Sequence, residues 1–460
     1  MQNYPNVILI VFDTLRKDVL PQYGGNAETP YLNEFVKDAV VYKNAIAPSP
    51  WTVPSHASFF TGLYPIEHKI HEDYFNGDKN IIDLISEYYS GWSIIQYLEK
   101  SGYNTLGFSA NPWLSPQTAF DRDFKFFSFF TADYVTFEDE EFLMEYKKYG
   151  ENRYEAFKNL IKKGEMGELV KYYKAYRKIM REKCKTGGHP FKKGADSILN
   201  TIYHSSFETP FFMFLNFMEV HEPVTLWETK VLETTITQYL DLFEKKRIPE
   251  NRIKEIINGY KKSLKNLDYY FGKFLQDLKN SKRYDNSLII LISDHGQAIR
   301  ERNYYGHGNF LYDEIVEVPF IVKYPKDVKI LEQKGYQSLV NIPDLIKNVV
   351  ETGSSGNFSR DVVFSEVYGF IHNMEKVLKQ HDLFKDLNLD KLRERYGYPK
   401  KAVFKNNYKL VVNGLNGNID EFTYGKKSMD PKEKKDVLRD LIDELYIYKG
   451  TEKFVLPDIR

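Results

Sequence analysis

The sequence predicts an α/β three-layer sandwich: a mostly parallel central sheet with helices on both faces, followed by a smaller α+β subdomain. Three observations carry this. Short apolar runs rich in branched and aromatic residues alternate with helical stretches, the pattern of strands buried on both faces. Two of those runs carry an aspartate at their C-terminal end, Asp13 and Asp294. After about residue 361 the texture changes to hairpin-like strands and one long charged helix.

Taken in order, the first run is Val7–Phe12, stopped by Asp13. Asn104–Ser109, Phe211–Phe217, Ser287–Ile292 and Val318–Tyr324 have the same character, with helical spacing over Asp83–Lys100 and Asn251–Lys279 between them. Active sites of open parallel sheets collect at the C-terminal strand ends, so Asp13 and Asp294 are expected to converge. Phe137–Lys185 is charged, helically spaced and free of proline, and reads as a solvated helical insertion over about 137–190. Asp361–Val367 and Lys401–Val412 read as strands, with turn signals at Asn413-Gly414 and Asn416-Gly417. Asp430 as N-cap and Pro431 at the first helical position open a helix over Lys432–Tyr446. The expected division is a catalytic domain over 1–355 and a small subdomain over 356–460 with antiparallel strands and a terminal helix.

Composition narrows the function. At 460 residues the chain exceeds one compact core, and 42% hydrophobic with 28% charged residues excludes a disordered chain. Lys+Arg and Asp+Glu are both 64, which argues against a globally basic nucleic-acid binder. The single cysteine, Cys184, excludes an intramolecular disulfide and a cysteine-based zinc cluster. No apolar stretch approaches 20 residues, so no membrane span is expected. The N-terminus lacks a basic leader and a small-residue cleavage site, so the expected location is cytoplasmic.

Three polar clusters carry the chemistry: Asp13; Trp51-Thr52-Val53-Pro54-Ser55-His56; and Ser293-Asp294-His295-Gly296 followed by Gly306-His307-Gly308. Pro54 suits the first turn of a helix over Ser55–Thr61, stopped by Gly62, which puts Thr52 just before a helix N-terminus where an oxyanion is stabilised. Thr52 or Ser55 can equally serve as a plain helix cap. Asp13, Asp294 and His295 offer two carboxylates and an imidazole at strand ends, a donor set for a divalent cation.

These segments, in this order, resemble the sulfatase-like branch of the alkaline phosphatase superfamily. They are the aspartate after the first strand, PSHASFFTGLYP, and SDHG…GHGNFLYDEIVEVPFIVKYP. His221 in FMEVHEP fits the family's His-x-Pro element. The resemblance implies an alkaline phosphatase-like sandwich, Thr52 at the nucleophile position, and Asp13, Thr52, Asp294 and His295 as metal ligands. It further implies that His221 and His307 contact the oxyanion or leaving group, with Ser55, His56 and Asn111 as substrate-binding positions.

The departures matter as much. Sulfatases place cysteine or serine at the Thr52 position and oxidise it to formylglycine, whereas a threonine would give a ketone. His56 stands where the family has arginine, Thr14 where it has a second metal-binding aspartate, and His307 where lysine is usual. Fewer carboxylates and one imidazole favour manganese or zinc over calcium or magnesium. Glu219, His221 and His307 are the candidates for a second metal. The expected function is a metal-dependent hydrolase or transferase of phosphoric esters, of phosphodiester, phosphonate or phosphoglycerol type, with Thr52 as nucleophile. The alternatives are a sulfatase working without formylglycine and a catalytically silent anion binder. The expected partner is a small anionic ester whose organic part is a carbohydrate or a lipid head group.

Overall fold

The computed structural model describes residues 4–71, 92–130, 193–222, 247–369, 399–448 and 454–457, with isolated positions at 159, 162–163, 167, 224 and 241. The expected insertion at 137–190, Cys184 and the first part of the predicted Asp83–Lys100 helix lie outside these residues, apart from those isolated positions.

The principal strands are β1 (Asn6–Phe12), β2 (Val40–Tyr42), β3 (Asn104–Ser109), β4 (Phe126–Phe129), β5 (Phe211–Phe217), β6 (Ser287–Ile292) and β7 (Phe320–Lys323). They form a 7-stranded sheet in the order β2-β7-β6-β1-β5-β3-β4. β1 lies between β5 and β6, parallel to both, with Val11 opposite Asn216 and Ile292. Only β7 runs against the rest, antiparallel to β6 and β2. The predicted run Val318–Tyr324 is therefore a strand of the opposite direction, because an apolar run encodes burial and not polarity of the chain.

β1 alternates faces with period two. Val7, Leu9 and Val11 enter one core with helices α1 (Thr52–Thr61), α2 (Ile94–Lys100) and α5 (Ile342–Thr352). Ile8, Ile10 and Phe12 enter the other with α3 (Ala195–Tyr203) and α4 (Glu250–Asn280). This is the expected sandwich with helices on both faces, and α4 matches the predicted Asn251–Lys279 within a residue at each end.

A second, antiparallel sheet follows: β8 (Val362–Val367), β9 (Lys400–Lys405), β10 (Tyr408–Asn413), β11 (Ile419–Tyr424) and β12 (Lys427–Ser428). Asn406 and Asn407, at φ 50° and 65°, make the β9–β10 hairpin turn, a conformation that asparagine tolerates. One face packs Leu438, Leu441, Ile442 and Leu445 of α6 (Lys435–Ile447) on Val403, Leu410, Val412 and Phe422. The other face packs on the larger sheet's loops through Phe310, Ile315, Val316 and Phe404. The helix starts three residues later than predicted, with Lys434 and not Asp430 at its N-cap. Asp430 instead closes a separate turn, accepting Lys432 N–H at 2.8 Å through its side chain and Glu433 N–H at 3.1 Å through its carbonyl. The Asx turn competes with the helix for the same N–H groups.

Candidate active site

Strand parity builds the site. Asp13 continues the Val7–Leu9–Val11 face, and its N–H extends the ladder to the Phe217 carbonyl at 3.0 Å. Asp294 continues the Leu288–Ile290–Ile292 face in the same way. The N-terminus of α1 brings Thr52 to His295 and Asn111 beside the aspartates. α1 begins at Thr52 itself rather than at Ser55, with Pro54 inside its first turn and Gly62 closing it at φ 74°. No side chain caps its N-terminus, because Trp51 occupies the N-cap.

Asp13, Asp294 and His295 each bring a ligand atom within 4.8 Å of the others, and all are fully buried. His295 must donate Nδ1–H to the Gly296 carbonyl at 2.9 Å, since a carbonyl only accepts. Its lone-pair nitrogen, Nε2, then faces Asp294 Oδ2 and Thr52 Oγ1, each at 3.4 Å. Asp13 Oδ1 and Asp294 Oδ2 are buried with no hydrogen-bond partner. Burial and the Asp13 charge push the Asp294 carboxyl well above its ordinary range, and burial holds the His295 imidazole well below its own. Two bare carboxylate oxygens and a neutral imidazole nitrogen around one point are a donor set that fits a divalent cation. Thr14, where the family has a second acidic ligand, turns its hydroxyl to the Asp13 carbonyl at 2.7 Å and offers no side-chain oxygen to the centre.

The structure places the three expected substrate-binding residues against the protein's own groups. Ser55 is fully buried and donates its hydroxyl to the Asp294 carbonyl at 2.7 Å, tying α1 to the end of β6. His56 donates Nδ1–H to the Thr52 carbonyl at 2.9 Å, and its ring is packed among Phe59, Phe60, Phe120 and Phe214. That apolar burial lowers its pKa to about 4, so it is neutral and provides no cationic clamp. One turn into α1, side chains at this position point inward instead of out of the open end. Asn111 is nearly fully buried and donates to Asp13 Oδ2 at 2.8 Å and Thr52 Oγ1 at 3.4 Å, so it faces the protein's own ligands.

His221 and His307 do reach the site. The His307 ring stacks on His295 with centroids 4.5 Å apart and meets His221 edge-on at 5.1 Å. Gly308 N–H bonds the Pro50 carbonyl at 2.8 Å, which anchors the His307 loop beside α1. The carboxylate that joins them is Glu222, which sequence reasoning missed. Its Oε1 lies 3.3 Å from His307 Nδ1 and its Oε2 3.6 Å from His221 Nδ1. Burial works against charge on Glu222, yet His307 and His221 hold its carboxyl well below the ordinary range. Burial likewise opposes charge on His307, but Glu222 outweighs it and raises the imidazole.

Glu219 is corrected out of this cluster. It is buried, accepts Ala195 N–H at 2.9 Å, and burial raises its pKa to about 7. The Lys193 ammonium donates to the Glu219 and His221 carbonyls, so Lys193 and Glu219 fasten the turn that presents His221 and Glu222. His221, Glu222 and His307 form a second group whose ligand atoms lie within 4.8 Å of one another, and these residues could hold a second cation.

Comparisons with known proteins place the chain in a family. The sulfatase family model matches residues 5–383. A sulfatase of Formosa agariphila is 23% identical over 361 residues, covering 70% of this chain and 64% of that relative. An arylsulfatase of Clostridium perfringens is 20% identical over 516 residues, covering 92% and 97%. The phosphonate monoester hydrolase of Agrobacterium radiobacter superposes with a TM-score of 0.56 at 14% identity, covering 96% and 94%. With the fold, the ordered motifs and the family match in agreement, this chain belongs to the sulfatase family.

Proposed function

We propose that the protein is a metal-dependent hydrolase or transferase of phosphoric esters with Thr52 as its nucleophile. The single observation that carries this is Thr52 at the first position of α1, its hydroxyl 3.4 Å from His295 Nε2 beside Asp13 and Asp294. A threonine cannot yield the formylglycine aldehyde, but its hydroxyl can attack phosphorus directly. Asp13, Thr52, Asp294 and His295 would hold one divalent cation, manganese or zinc by their mixed oxygen and nitrogen donors. Such a cation, when bound, supplies the charge that acidifies the threonine hydroxyl and screens the ester oxygens.

The chain's own residues do the rest. Thr52, its hydroxyl proton released to solvent, forms an Oγ bond to phosphorus as the bond from phosphorus to the leaving alcohol breaks, giving phospho-Thr52. His307, whose protonated form Glu222 favours, gives its proton to the leaving oxygen. His221, across the same carboxylate, orients the ester oxygens. Water then displaces Thr52 in a hydrolase, and a second hydroxyl does so in a transferase.

A second reading, sulfate-ester hydrolysis without formylglycine, is favoured by the sulfatase names of the relatives. A panel of chromogenic phosphate monoesters and diesters, phosphonate esters and sulfate esters separates them, each with Mn²⁺, Zn²⁺, Ca²⁺ and Mg²⁺. Turnover of phosphorus esters alone is expected. Turnover of sulfate esters alone overturns the phosphoryl reading, and tight anion binding without turnover of any ester makes the protein a binder. The panel includes esters of sugars and of glycerol, because the organic part is proposed to be a carbohydrate or a lipid head group.

A further inference from the structure

We propose that Asn216, with Asn111, is a positioning residue that fixes which oxygen of Asp13 faces the cation; this rests on the metal reading above. Asn216 sits in β5 opposite Val11 of β1 and Ser109 of β3. Phe212 and Phe214 place the even positions of β5 on the same sheet face as Val7, Leu9 and Val11. Asn216 is therefore the polar residue on that face which stands beside Asp13, and it is fully buried.

A carboxylate only accepts, so both neighbouring amides must turn their nitrogens to it. Asn111 Nδ2 donates to Asp13 Oδ2 at 2.8 Å and Asn216 Nδ2 donates to the same oxygen at 3.2 Å. The Asn111 amide is itself locked, because its Oδ1 accepts Trp113 N–H at 2.9 Å, while the Asn111 backbone N–H bonds Ser109 Oγ at 3.1 Å. Two donors saturate Oδ2 and stop the carboxylate from rotating. Oδ1 is left as the buried oxygen without a partner. Asn216 Oδ1 is buried without a partner too, on the same side chain. Burying an unsatisfied carboxylate oxygen is costly, and a cation held at Asp13 Oδ1 would remove that cost. Asn111 also touches Thr52, whereas Asn216 touches the centre through Asp13 alone, which makes Asn216 the cleaner probe. Outer-shell partners of this kind set metal affinity by about 10- to 100-fold.

The test is calorimetric titration of Mn²⁺ into chelator-stripped full-length protein. Asn216→Leu preserves size and removes the donor; Asn216→Ser keeps a polar group too short to reach Asp13, in case leucine prevents folding. Met213→Ala, on the opposite face of the same strand, is the packing control. Both Asn216 variants are expected to bind Mn²⁺ about 10- to 100-fold more weakly. Their kcat is expected to recover toward wild type at saturating Mn²⁺. Met213→Ala is expected to melt at lower temperature with unchanged Mn²⁺ affinity. A folded Asn216 variant with wild-type affinity overturns the proposal, as does an equal loss in Met213→Ala. Wild type that takes up none of Mn²⁺, Zn²⁺, Ca²⁺ or Mg²⁺ overturns the metal reading and this proposal with it.

Discussion

At the scale of single residues, Thr52 separates the functional readings. Thr52→Ala is expected to abolish turnover while folding and metal content survive, because water can take one of four ligand positions. Thr52→Ser, which loses only a methyl, is expected to retain measurable turnover. If Thr52→Ala keeps full activity, an activated water replaces the threonine as nucleophile. Glu222 gives a prediction in pH. It raises the His307 pKa, so His307 holds its proton to higher pH than an ordinary imidazole and loses it on the alkaline limb. Glu222→Gln removes that charge and should move the alkaline limb of kcat/KM to lower pH; a limb that stays put counts against His307 as the acid. Asp13, Asp294 and His295 are legible in the sequence because each lies within three residues of the end of an apolar strand. Asn216 is not, because one polar letter inside FFMFLNF acquires meaning only when parity places it beside Asp13. Glu222 is hidden for the opposite reason. Neighbours diverge along a strand, but a turn closed by His221 N–H on the Met218 carbonyl at 3.0 Å lets both side chains face one point.

At the scale of elements, α1 is the part whose placement decides the chemistry. Its C-terminal stop is Gly62 at φ 74°, with nothing nearer than 3.7 Å to an added Cβ. Gly62→Ala therefore tests backbone strain without a clash, and is expected to destabilise by about 1 kcal/mol with unchanged metal affinity. Chemical denaturation checks this, and an altered affinity would show that the far end of α1 transmits strain to Thr52. The edge strands β2 and β4, short and only partly buried, give no clear run, whereas the other five strands of the larger sheet are legible from composition, since burial on both faces demands unbroken apolar runs. The direction of β7 and the start of α6 are not. The first depends on how the chain returns to the sheet, and the second on an Asx turn winning a local competition for N–H groups.

At the scale of the whole molecule, the antiparallel sheet is tied to the loops of the candidate site by charge. Lys409 on β10 is buried and pairs with Asp313 at 2.6 Å and with Glu421 at 3.2 Å. Arg302, on the loop that carries His307, reaches Glu314 at 3.3 Å and Glu421 at 3.6 Å. Lys409→Met would leave two acidic groups facing each other at this seam. A loss of about 3 kcal/mol is expected from stranding the partners of a buried ion pair, read as an earlier urea midpoint. An unchanged midpoint would mean that the apolar contacts of Phe310, Ile315 and Phe404 alone dock the sheet.

The bare oxygens of Asp13 and Asp294 make the proton and the cation rivals for one seat. Because burial and Asp13 raise the Asp294 carboxyl, the stripped protein binds a proton there more tightly than the unfolded chain does. Its stability should therefore decline as pH rises from the ordinary carboxylate value toward the raised one. The metal-loaded protein should follow the opposite trend, since a cation binds the deprotonated pair and must expel whatever proton is there. Chelation would then do least harm in acid and most harm in mild alkali. Metal uptake would release protons, measurable as a calorimetric heat that scales with the ionisation enthalpy of the buffer.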